Sequence, residues 1–576
     1  MKKNRLLALL LALAMMIGML AGCGNDAGKE DQPDDTPGTS ETQPADEKDQ
    51  TLNVDDKSGI ETTTRDWFRG PITIYKSNEG ESTKKTPEGT LVYANSSQIK
   101  AADPNTFQNE FNWSHQIYDC LIERDLSGNG YVPALATEWG YDEEGNFNIT
   151  LREGVKFHDG TTLNADDVLF TIERIAKSYV NKSAGAMKKV DLEKSYKTDD
   201  LHLTLVFKEP VGSLLDELAT GYCGIMSKEY FDANPDATLL DSDAGSGAYM
   251  LVETVDGISQ TLKAFDEYWG GAPEVDTVIY KLYKDYSVMA IDFMNGDLDI
   301  CFNNTYNTVT EFLNGEIPGA TLYQVPSRSL YMDLTTRGDV PLADVRLRQA
   351  LAHCIDYEGL VKAVYQDSSM ASTTTGPFPT GSKYEIDLGV IEYNVEKAKE
   401  LLKECGYSTS NPCKLKMLST NSPAGEAAAV IIQQFGNMVG FEIDVTILDS
   451  AGANKITGNT EVPAEYDLYV CTNSFNTGAP EAFLGDREMY SNPEGASAMS
   501  GIEDSKFNEL AHKAANSTDE EERAKLYAEL QELFYENMWT IQLTTANSMV
   551  LAHSYVGDMD FVSGYHPKFT TLTIEE

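Results

Sequence analysis

The sequence lacks the short motifs by which the common enzyme classes are recognised. It contains no HExxH, no GxSxG, no Walker-type lysine loop and no GxGxxG after a strand. Histidine is scarce, because only 7 residues are scattered through the chain and no two are spaced i, i+4. A metallopeptidase, a serine hydrolase and a nucleotide-dependent enzyme therefore have no support. A catalytic pair could still form by folding among the 91 acidic residues, but ordinary solvation explains a surface of that charge.

Cysteine is also used sparingly, and not in the pattern of metal sites. The 8 cysteines include no CxxC pair, which argues against structural zinc and against iron–sulfur clusters. Cys405 and Cys413 are close enough in sequence to form a disulfide, whereas scattered cysteines are more often buried thiols. We therefore predict no metal and no cofactor.

Basic residues are far fewer than acidic ones. The chain has 45 basic residues against 91 acidic ones, a formal net charge of -46. Such a surface repels nucleic acid and anionic lipid. Nucleic acid is therefore excluded as a partner, and a membrane is expected to be reached only through a covalent anchor.

Long hydrophobic runs are absent except at the N-terminus. Lys2, Lys3 and Arg5 precede an apolar run from Leu6 to Leu20, which is too short to span a bilayer comfortably and has the layout of a signal peptide. The run ends in Leu-Ala-Gly-Cys, which resembles a bacterial lipobox. We expect residues 1–22 to be removed and Cys23 to carry a lipid at the extracellular face of a bacterial, Gram-positive cell membrane; an ordinary secreted protein cleaved near Ala21 is the alternative.

Residues 23–66 are predicted to form a disordered acidic tether. Residues 24–66 carry 13 acidic and 4 basic side chains, a net charge of −9, and too few apolar groups to offset the entropy of the chain. A flexible segment of this length reaches about 40 Å.

The sequence between Tyr131 and Thr171 gives the clearest prediction of local structure. Residues 147–151 alternate apolar and polar side chains, as a half-buried strand does, and a second short run at 155–157 predicts a hairpin closed by Asp159-Gly160. Asn164 is then placed to cap a helix. His158 beside the turn could suggest a general base, but no partner is in view, and a hydrogen-bonded turn residue is the simpler interpretation.

Further alternation and capping signals recur to the end of the chain. They predict helices within Asp344–Tyr365, with Arg346 and Arg348 on the polar side, a helix from Asn394 to Cys405-Gly406, a strand at Phe441–Leu448, and a helix at Asp519–Tyr535 followed by a short strand at Ile541–Leu543. At 576 residues the chain is too long for one ordinary core. The prediction is an α/β protein of at least two lobes.

Several of these segments resemble one family. PALATEW, LREGVKFHDG and LNADDVLFT, the Tyr268-Trp269 pair and the run DVRLRQAL are similar to the extracellular solute-binding proteins of family 5, the oligopeptide- and dipeptide-binding lipoproteins of ABC importers. The resemblance extends from about Leu91 to Phe561, which is nearly all of the predicted folded chain.

The resemblance implies a two-lobed periplasmic-binding-protein-like fold of the hinge-closing class II, with a discontinuous lobe and an extra subdomain. Lobe I would comprise residues 67–300 and 545–576, with the subdomain at about 111–232, and lobe II would comprise residues 301–544. Hinge strands would cross near Ile300 and Thr545.

The resemblance also implies a binding site made by three loops between the lobes. Carried over by position, its residues are Ser96, Ser97, Gln98 and Ile99, then Asn303, Asn304 and Tyr306, then Asn473, Ser474, Phe475 and Asn476. Each could instead be a loop residue that satisfies backbone groups.

The third loop departs from the pattern of peptide-binding relatives. They place an aspartate there, in a Trp-containing context, to pair with the α-ammonium of the peptide. Asn476 and Asn473 occupy those two positions here, and Gln98 replaces an acid that some relatives carry. A neutral amide lacks the charge-assisted strength of a carboxylate, so modified peptides, oligosaccharides or another anchor for the peptide stay open.

The sequence therefore predicts a monomeric, lipid-anchored binding protein that captures an oligopeptide or a similar polar oligomer and docks on ABC permease subunits. The alternatives are a surface hydrolase of peptides or glycans and a ligand receptor for signalling. No nucleophile can be named for the first, and the second differs from import only in its partner.

Overall fold

The computed structural model describes the chain from Ile60 onward, with gaps. The described residues are 60–66, 70–77, 80, 84, 86–95, 103–105, 111–127, 130–177, 185–235, 243–302, 306–336, 338–366, 369–378, 381, 383–457, 465–474, 502, 504–557, 559–562 and 566–575. Residues 1–56 and 57–576 are separate units, and the fold below belongs to the second. The predicted signal peptide, Cys23 and residues 23–59 of the predicted tether lie outside the described residues. The prediction of disorder is wrong for Ile60–Arg65, because these residues form a strand that pairs with Ile72–Ser77.

Strands and helices alternate irregularly along the described chain. The strands are β1 Ile60–Arg65, β2 Ile72–Ser77, β3 Thr90–Asn95, β4 Ile122–Arg124, β5 Tyr131–Pro133, β6 Ala136–Tyr141, β7 Phe147–Leu151, β8 Tyr196–Lys197, β9 His202–Leu205, β10 Tyr249–Val255, β11 Ser259–Ala264, β12 Thr277–Leu282, β13 Ile300–Phe302, β14 Ala320–Leu334, β15 Ala371–Ser372, β16 Cys413–Thr420, β17 Phe441–Leu448, β18 Leu468–Ser474 and β19 Thr540–His553.

The helices cover about as much of the chain. They are α1 Phe111–Ile117, α2 Ala165–Lys177, α3 Gly185–Lys188, α4 Leu214–Leu218, α5 Lys228–Ala233, α6 Tyr286–Met294, α7 Tyr306–Leu313, α8 Val345–His353, α9 Tyr357–Tyr365, α10 Val395–Glu404, α11 Pro423–Val439, α12 Ser450–Thr457, α13 Ser505–Asn516 and α14 Glu520–Asn537, with short 3₁₀ turns at Gly221–Cys223, Pro341–Ala343 and Phe569–Thr571. None of the helices in the described part of the chain has the length and apolar character needed to cross a bilayer.

One large mixed sheet organises the molecule. Its strands follow the order β10-β11-β12-β3-β13-β19-β14-β18-β16-β17, and β1, β2 and β15 attach at the side. The two central strands are unusually long, with 15 residues in β14 and 14 in β19, whereas most strands have 3–10. They pair with each other along almost their whole length.

The neighbours of β14 change at its middle. Its first part pairs with β2 through residues 321–324, and its second part pairs with β18 through residues 328–334. We call the strands on the first side (β1, β2, β3 and β10–β13) the β3 half of the sheet, and those on the second side (β16, β17 and β18) the β16 half. Both halves are therefore joined through β14 and β19.

The core is layered on the two faces of this sheet. On one face of the β3 half, buried side chains such as Leu91, Trp113 and Phe569 form a cluster with the C-terminal segment. The opposite face belongs to a larger cluster that continues under the β16 half, from Val92 through Met332 to Leu415. Burial of these apolar surfaces is the main stabilising contribution to both halves.

A second, four-stranded sheet in the order β6-β7-β9-β8 has a core of its own with α2 and α4. We call residues 121–225 the small-sheet region. Its strand at Phe147–Leu151 and the helix capped by Asn164 are as predicted: the Asp166 amide donates to Asn164 Oδ1 at 2.8 Å, and the Asn164 amide donates to Asp167 Oδ2 at 2.8 Å. The second hairpin is reduced to a single bridge between Lys156 and Thr162.

His158 is structural, in agreement with the simpler interpretation. Its Nε2 lies 2.8 Å from the carbonyl oxygen of Gly247, and its ring packs edge-on against Phe265 with centroids 4.9 Å apart. The ring thereby fixes the turn at 245–247 to the small-sheet region.

One expectation about the α8–α9 pair is wrong. Arg346 is exposed, but Arg348 is 4% exposed rather than on the polar side. Its Nε donates to the carbonyl of Asn537 at 2.6 Å, and its Nη1 donates to the carbonyl of Leu342 at 2.7 Å. Burial lowers the pKa of Arg348 to about 10. The guanidinium is buried because it satisfies backbone carbonyls at the end of α14.

The seven cysteines in the described ranges are thiols, and six of them are buried. Cys405 and Cys413 are among these thiols, so the disulfide considered between them is not formed.

Candidate functional site

The carboxyl ends of strands from both halves of the large sheet face one another across the middle of β14. On the β3 half, β13 ends with Phe302 opposite Val550 of β19, which in turn pairs with Tyr323 of β14. On the β16 half, β18 runs against β14 and ends with Ser474 opposite Arg328. The five residue steps of β14 from Tyr323 to Arg328 span about 17 Å. We call residues 325–329 of β14 and 545–548 of β19, where the halves meet, the crossover segment.

The three predicted loops follow the strands that end there. Residues 96–99 follow β3 and residues 303–304 follow β13, which lies beside β3 and parallel to it. Residues 475–476 follow β18. Ser96, Ser97, Gln98, Ile99, Asn303, Asn304, Phe475 and Asn476 themselves lie outside the described residues, and only the backbone of Asn473 and Ser474 is described, in register with Ser329 and Arg328. These assignments stay predictions.

Tyr306 is the predicted site residue whose side chain is described. It is the first residue of α7, is half-buried, and packs edge-on against Tyr365 with ring centroids 5.4 Å apart. The hydroxyls of Tyr365 and Thr544 share a hydrogen bond of 2.9 Å. Burial raises the pKa of Tyr306 above its usual range and that of Tyr365 to about 12. Both phenols are therefore neutral hydrogen-bonding groups at physiological pH.

Sequence reasoning missed Arg328, which lies in the crossover segment at an irregularity of β14 just after Pro326. Its positive charge acts on three rings around it: it opposes the rise in the pKa of Tyr306 and Tyr365, and it adds to the burial that lowers the pKa of His566 to about 3. His566 is therefore a neutral imidazole above about pH 4. The local signal was the polar Pro-Ser-Arg interruption of an otherwise apolar strand, ATLYQVPSRSLYMDL.

Two hydroxyls in the crossover segment were also missed. Ser329 and Thr545 are paired across β14 and β19 and are 1% and 6% exposed. Their hydroxyl oxygens have no hydrogen-bond partner among the described residues. Buried polar atoms are normally satisfied by protein, water or ligand, so these hydroxyls are available to a polar molecule at the crossover.

Buried aromatic rings pack around the end of β13. Phe302 stacks on Tyr93 with centroids 5.5 Å apart and planes 2° from parallel, and its edge meets His566 at 6.3 Å. Phe302 and Tyr93 are buried in the core on one face of the β3 half, whereas Tyr365 belongs to the cluster on the opposite face and Tyr306 packs against that cluster.

The described residues offer no arrangement for metal chemistry. No three His, Cys, Asp or Glu side chains within the described ranges are grouped so that they could hold a metal ion. The described part of the crossover offers one cation, Arg328, and the neutral hydroxyls of Ser329 and Thr545.

Comparison with known proteins identifies the family of the chain. The family model described as bacterial extracellular solute-binding proteins, family 5 Middle, matches residues 130–488, more than half of the chain. The match begins in the small-sheet region, includes the long central strand β14 but not β19, and ends beyond β18.

Curated relatives cover most of the chain. The dipeptide-binding protein of Escherichia coli is 26% identical over 496 residues, which is 81% of this chain and 90% of the relative. Heme-binding protein A of Haemophilus influenzae is 28% identical over 443 residues, 73% of this chain and 79% of the relative.

A solved structure shows the same fold. The ABC transporter-associated periplasmic binding protein DppA from Helicobacter pylori, in complex with the peptide STSA, superposes with a TM-score of 0.72 at 22% identity and covers 85% of this chain and 98% of its own. The two-lobed α/β fold predicted from the sequence is thereby confirmed. The family model, the long relatives and the shared fold agree, and this chain belongs to the bacterial extracellular solute-binding proteins of family 5.

Proposed function

We propose that this chain captures a peptide, or a peptide-like polar solute, at the crossover segment and delivers it unchanged to the permease of an ABC importer. The observation that carries the proposal is the convergence of strand ends from both halves of the sheet on Arg328, Ser329 and Thr545. Strand ends of both halves that meet at one place favour a solute held between the halves. The dipeptide-binding relative and the peptide-bound structure support the class of solute.

The charge of Arg328 favours an acidic group in the solute. A guanidinium binds a carboxylate through paired, charge-assisted hydrogen bonds, so the C-terminal carboxylate of a peptide is a suitable partner. An amide at position 476 instead of an aspartate weakens the case for a free N-terminus as the anchor. We therefore expect peptides with blocked N-termini to bind about as well as free ones, and peptides amidated at the C-terminus to bind less well.

The proposal also includes how the protein is held and divided. A lipid on Cys23 would anchor the mature chain at the outer face of the cell membrane, and the residues between Cys23 and β1 would act as its tether. The lobes would comprise residues 67–300 with 545–576, including a subdomain at about 111–232, and residues 301–544. The protein would act as a monomer that meets the permease subunits.

Native mass spectrometry of the protein as purified, followed by calorimetric titration, tests the capture of solute. The titrated set is a tripeptide and a pentapeptide, each with free, N-acetylated and C-amidated ends, a matched oligosaccharide, and hemin, because one relative is named for heme binding. We expect saturable binding of a peptide that is recovered intact. Arg328→Gln should raise the Kd about tenfold or more, since it removes a charged hydrogen-bond donor.

Arg346→Gln is the matched control, because that arginine is exposed on α8, and it should leave the Kd unchanged. Binding of hemin or oligosaccharide without any peptide would refute the peptide assignment. Recovery of cleaved peptide would refute capture without chemistry and favour the hydrolase.

A further inference from the structure

In the small-sheet region, the loop around Gly212 touches the helices α13 and α14. The Gly212 amide donates to the carbonyl of Ala515 at 2.9 Å, and Nη1 of Arg523 donates to the carbonyl of Gly212 at 2.7 Å. Gly212 follows β9 of the small sheet, whereas Arg523 is in α14, which leads directly into β19. The contact therefore joins parts of the chain that are 311 residues apart.

No side chain fits at position 212. A Cβ added to Gly212 would lie 2.5 Å from the Ser517 carbonyl oxygen and 2.7 Å from Nε of Arg523. Both distances are far below van der Waals contact, so the two backbones approach this closely only because residue 212 is glycine.

The side chain of Arg523 is also fixed by contacts on its own side of the loop. It is 1% exposed, its guanidinium lies 5.2 Å from the ring centroid of Tyr384 and 5.9 Å from that of Tyr527, and these two rings are stacked 5.2 Å apart. The Glu520 carboxylate lies 3.8 Å from Nη1 of Arg523. A cation fixed by aromatic faces and a carboxylate loses little conformational entropy when it binds a carbonyl.

A second polar contact lies beside the first. Nζ of Lys189, in the small-sheet region, donates to Oδ1 of Asn516 at 2.5 Å and lies 3.2 Å from the carboxylate of Glu209. The charges that face each other across the contact are complementary. The pKa of the buried Asp216 is lowered, against the effect of burial, by its ion-pair partner Arg124 and then by Lys383 on the other side of the contact.

These polar contacts join two bodies with separate hydrophobic cores. The small-sheet core, which includes Val211 and Leu214, shares no residue with the cluster of Phe507, Tyr527 and Phe534 that supports α13 and α14. Hydrogen bonds without shared apolar burial break at modest cost. The contact is thus suited to form and open repeatedly while both bodies remain folded.

We propose that Gly212, Arg523 and the Lys189–Asn516 pair form a latch that holds the β3 half and the β16 half closed independently of the solute. The small-sheet region attaches to the β3 half at the turn before β10, where the His158 amide donates to the carbonyl of Gly245. Helix α14 leads into the first part of β19, which pairs with the part of β14 that β18 joins. The latch therefore fixes the distance between the halves at a point away from the crossover segment. Its purpose rests on the proposed capture function, but its existence does not.

Hydrogen exchange of the solute-free protein tests the latch directly, because the Gly212 amide is one of its hydrogen bonds. We expect this amide to be protected in the wild type. In Arg523→Met and Gly212→Ala the ratio of closed to open molecules should fall about tenfold, since a charged hydrogen bond is removed or the approach is blocked. The protection of Gly212 should fall by the same factor, the radius of gyration from small-angle scattering should increase, and Leu203 and Leu205 in β9 should keep their protection.

Gly140→Ala is the matched glycine control. Gly140 lies in β6 of the same small sheet, and a Cβ there would meet no described atom within 4 Å. It should behave as the wild type. If Arg523→Met fails to fold, Gly212→Ala and Lys189→Met test the contact from the other side. An unprotected Gly212 amide in the wild type, or variants with unchanged protection and radius, would overturn the latch, whereas a failed solute titration would not affect it.

Discussion

Asp119 shows how one buried carboxyl makes the fold sensitive to pH. It is 5% exposed and accepts hydrogen bonds from the Trp269 indole at 2.6 Å and from the Tyr268 hydroxyl at 3.3 Å. Burial raises its pKa to about 7, although both hydrogen bonds act in the opposite direction. The Tyr268-Trp269 pair, recognised in the sequence as a landmark of the family, therefore serves to hold this carboxyl at the edge of the small-sheet region.

The raised pKa sets the sign of the pH dependence. Between about pH 4 and pH 7 the folded protein keeps a proton on Asp119 that the unfolded chain has lost, so this group's contribution is greatest below pH 4 and is lost as the pH rises through 7. The change is on the order of 4 kcal/mol. Relative to the wild type, Asp119→Asn should therefore become more stable with rising pH, by about that amount between pH 4 and pH 8.

Urea unfolding at several pH values measures this difference. The exposed Asp256 in the turn before Gly257 provides the control, because Asp256→Asn should keep a constant difference from the wild type. A parallel pH dependence of Asp119→Asn and the wild type would show that Asp119 is not the titrating group.

At the scale of elements, helix ends are fixed by single side chains. The Lys397 amide donates to Oδ1 of Asn394 at 3.0 Å at the start of α10, and Gly406 adopts φ 86° just after its end. Asn394→Ala should lower the free energy of unfolding by about 1 kcal/mol. Asn394→Asp should retain the cap and most of the stability, and thermal unfolding of both variants measures the effect. Equal losses in both would mean that the side chain acts in another way than by capping.

Elements whose signals lie within their own residues could be predicted from the sequence. Asn394, Gly406 and the alternation of Phe441–Leu448 act within one element, and the structure has the expected helix and strand. The last strand was expected only at Ile541–Leu543 but extends over Thr540–His553. Its polar residues, such as Asn547 and Ser548, give no local strand signal, because their pairing is supplied by β14, more than 200 residues away.

The same distinction between local and long-range signals applies to the site residues. The loops were assigned from family motifs, and these assignments and the role of Tyr306 stay predictions. Arg328 and Thr545 could not be assigned, because their position depends on the pairing of β14 with β18 and β19. Arg348 was misplaced for the same reason, since the carbonyl of Asn537 that binds it is 189 residues away. Contacts of this kind are decided by tertiary structure.

At the scale of the molecule, two devices act on the same closure. The long strands β14 and β19 connect the halves permanently, whereas the Gly212–Arg523 latch connects them reversibly. A solute at the crossover segment and a latch outside it are then energetically coupled, because each stabilises the closed arrangement. The fractions of open and closed molecules give the expected size of the change in each rate constant and in the Kd.

If the free protein is closed about ten times as often as open, solute can enter only about one molecule in ten. A tenfold weaker latch, as in Gly212→Ala, then makes about half of the molecules accessible, and the association rate constant should rise about fivefold. The dissociation rate constant should rise about tenfold, because the loaded protein opens more often. The Kd should change only about twofold.

Stopped-flow binding of the peptide identified by titration measures both rates. Arg328→Gln is the comparison, because loss of a contact with the solute should raise the dissociation rate and the Kd together and leave association unchanged. A Gly212→Ala variant with that second pattern would show that residue 212 acts only on the loaded protein and that the latch does not govern entry.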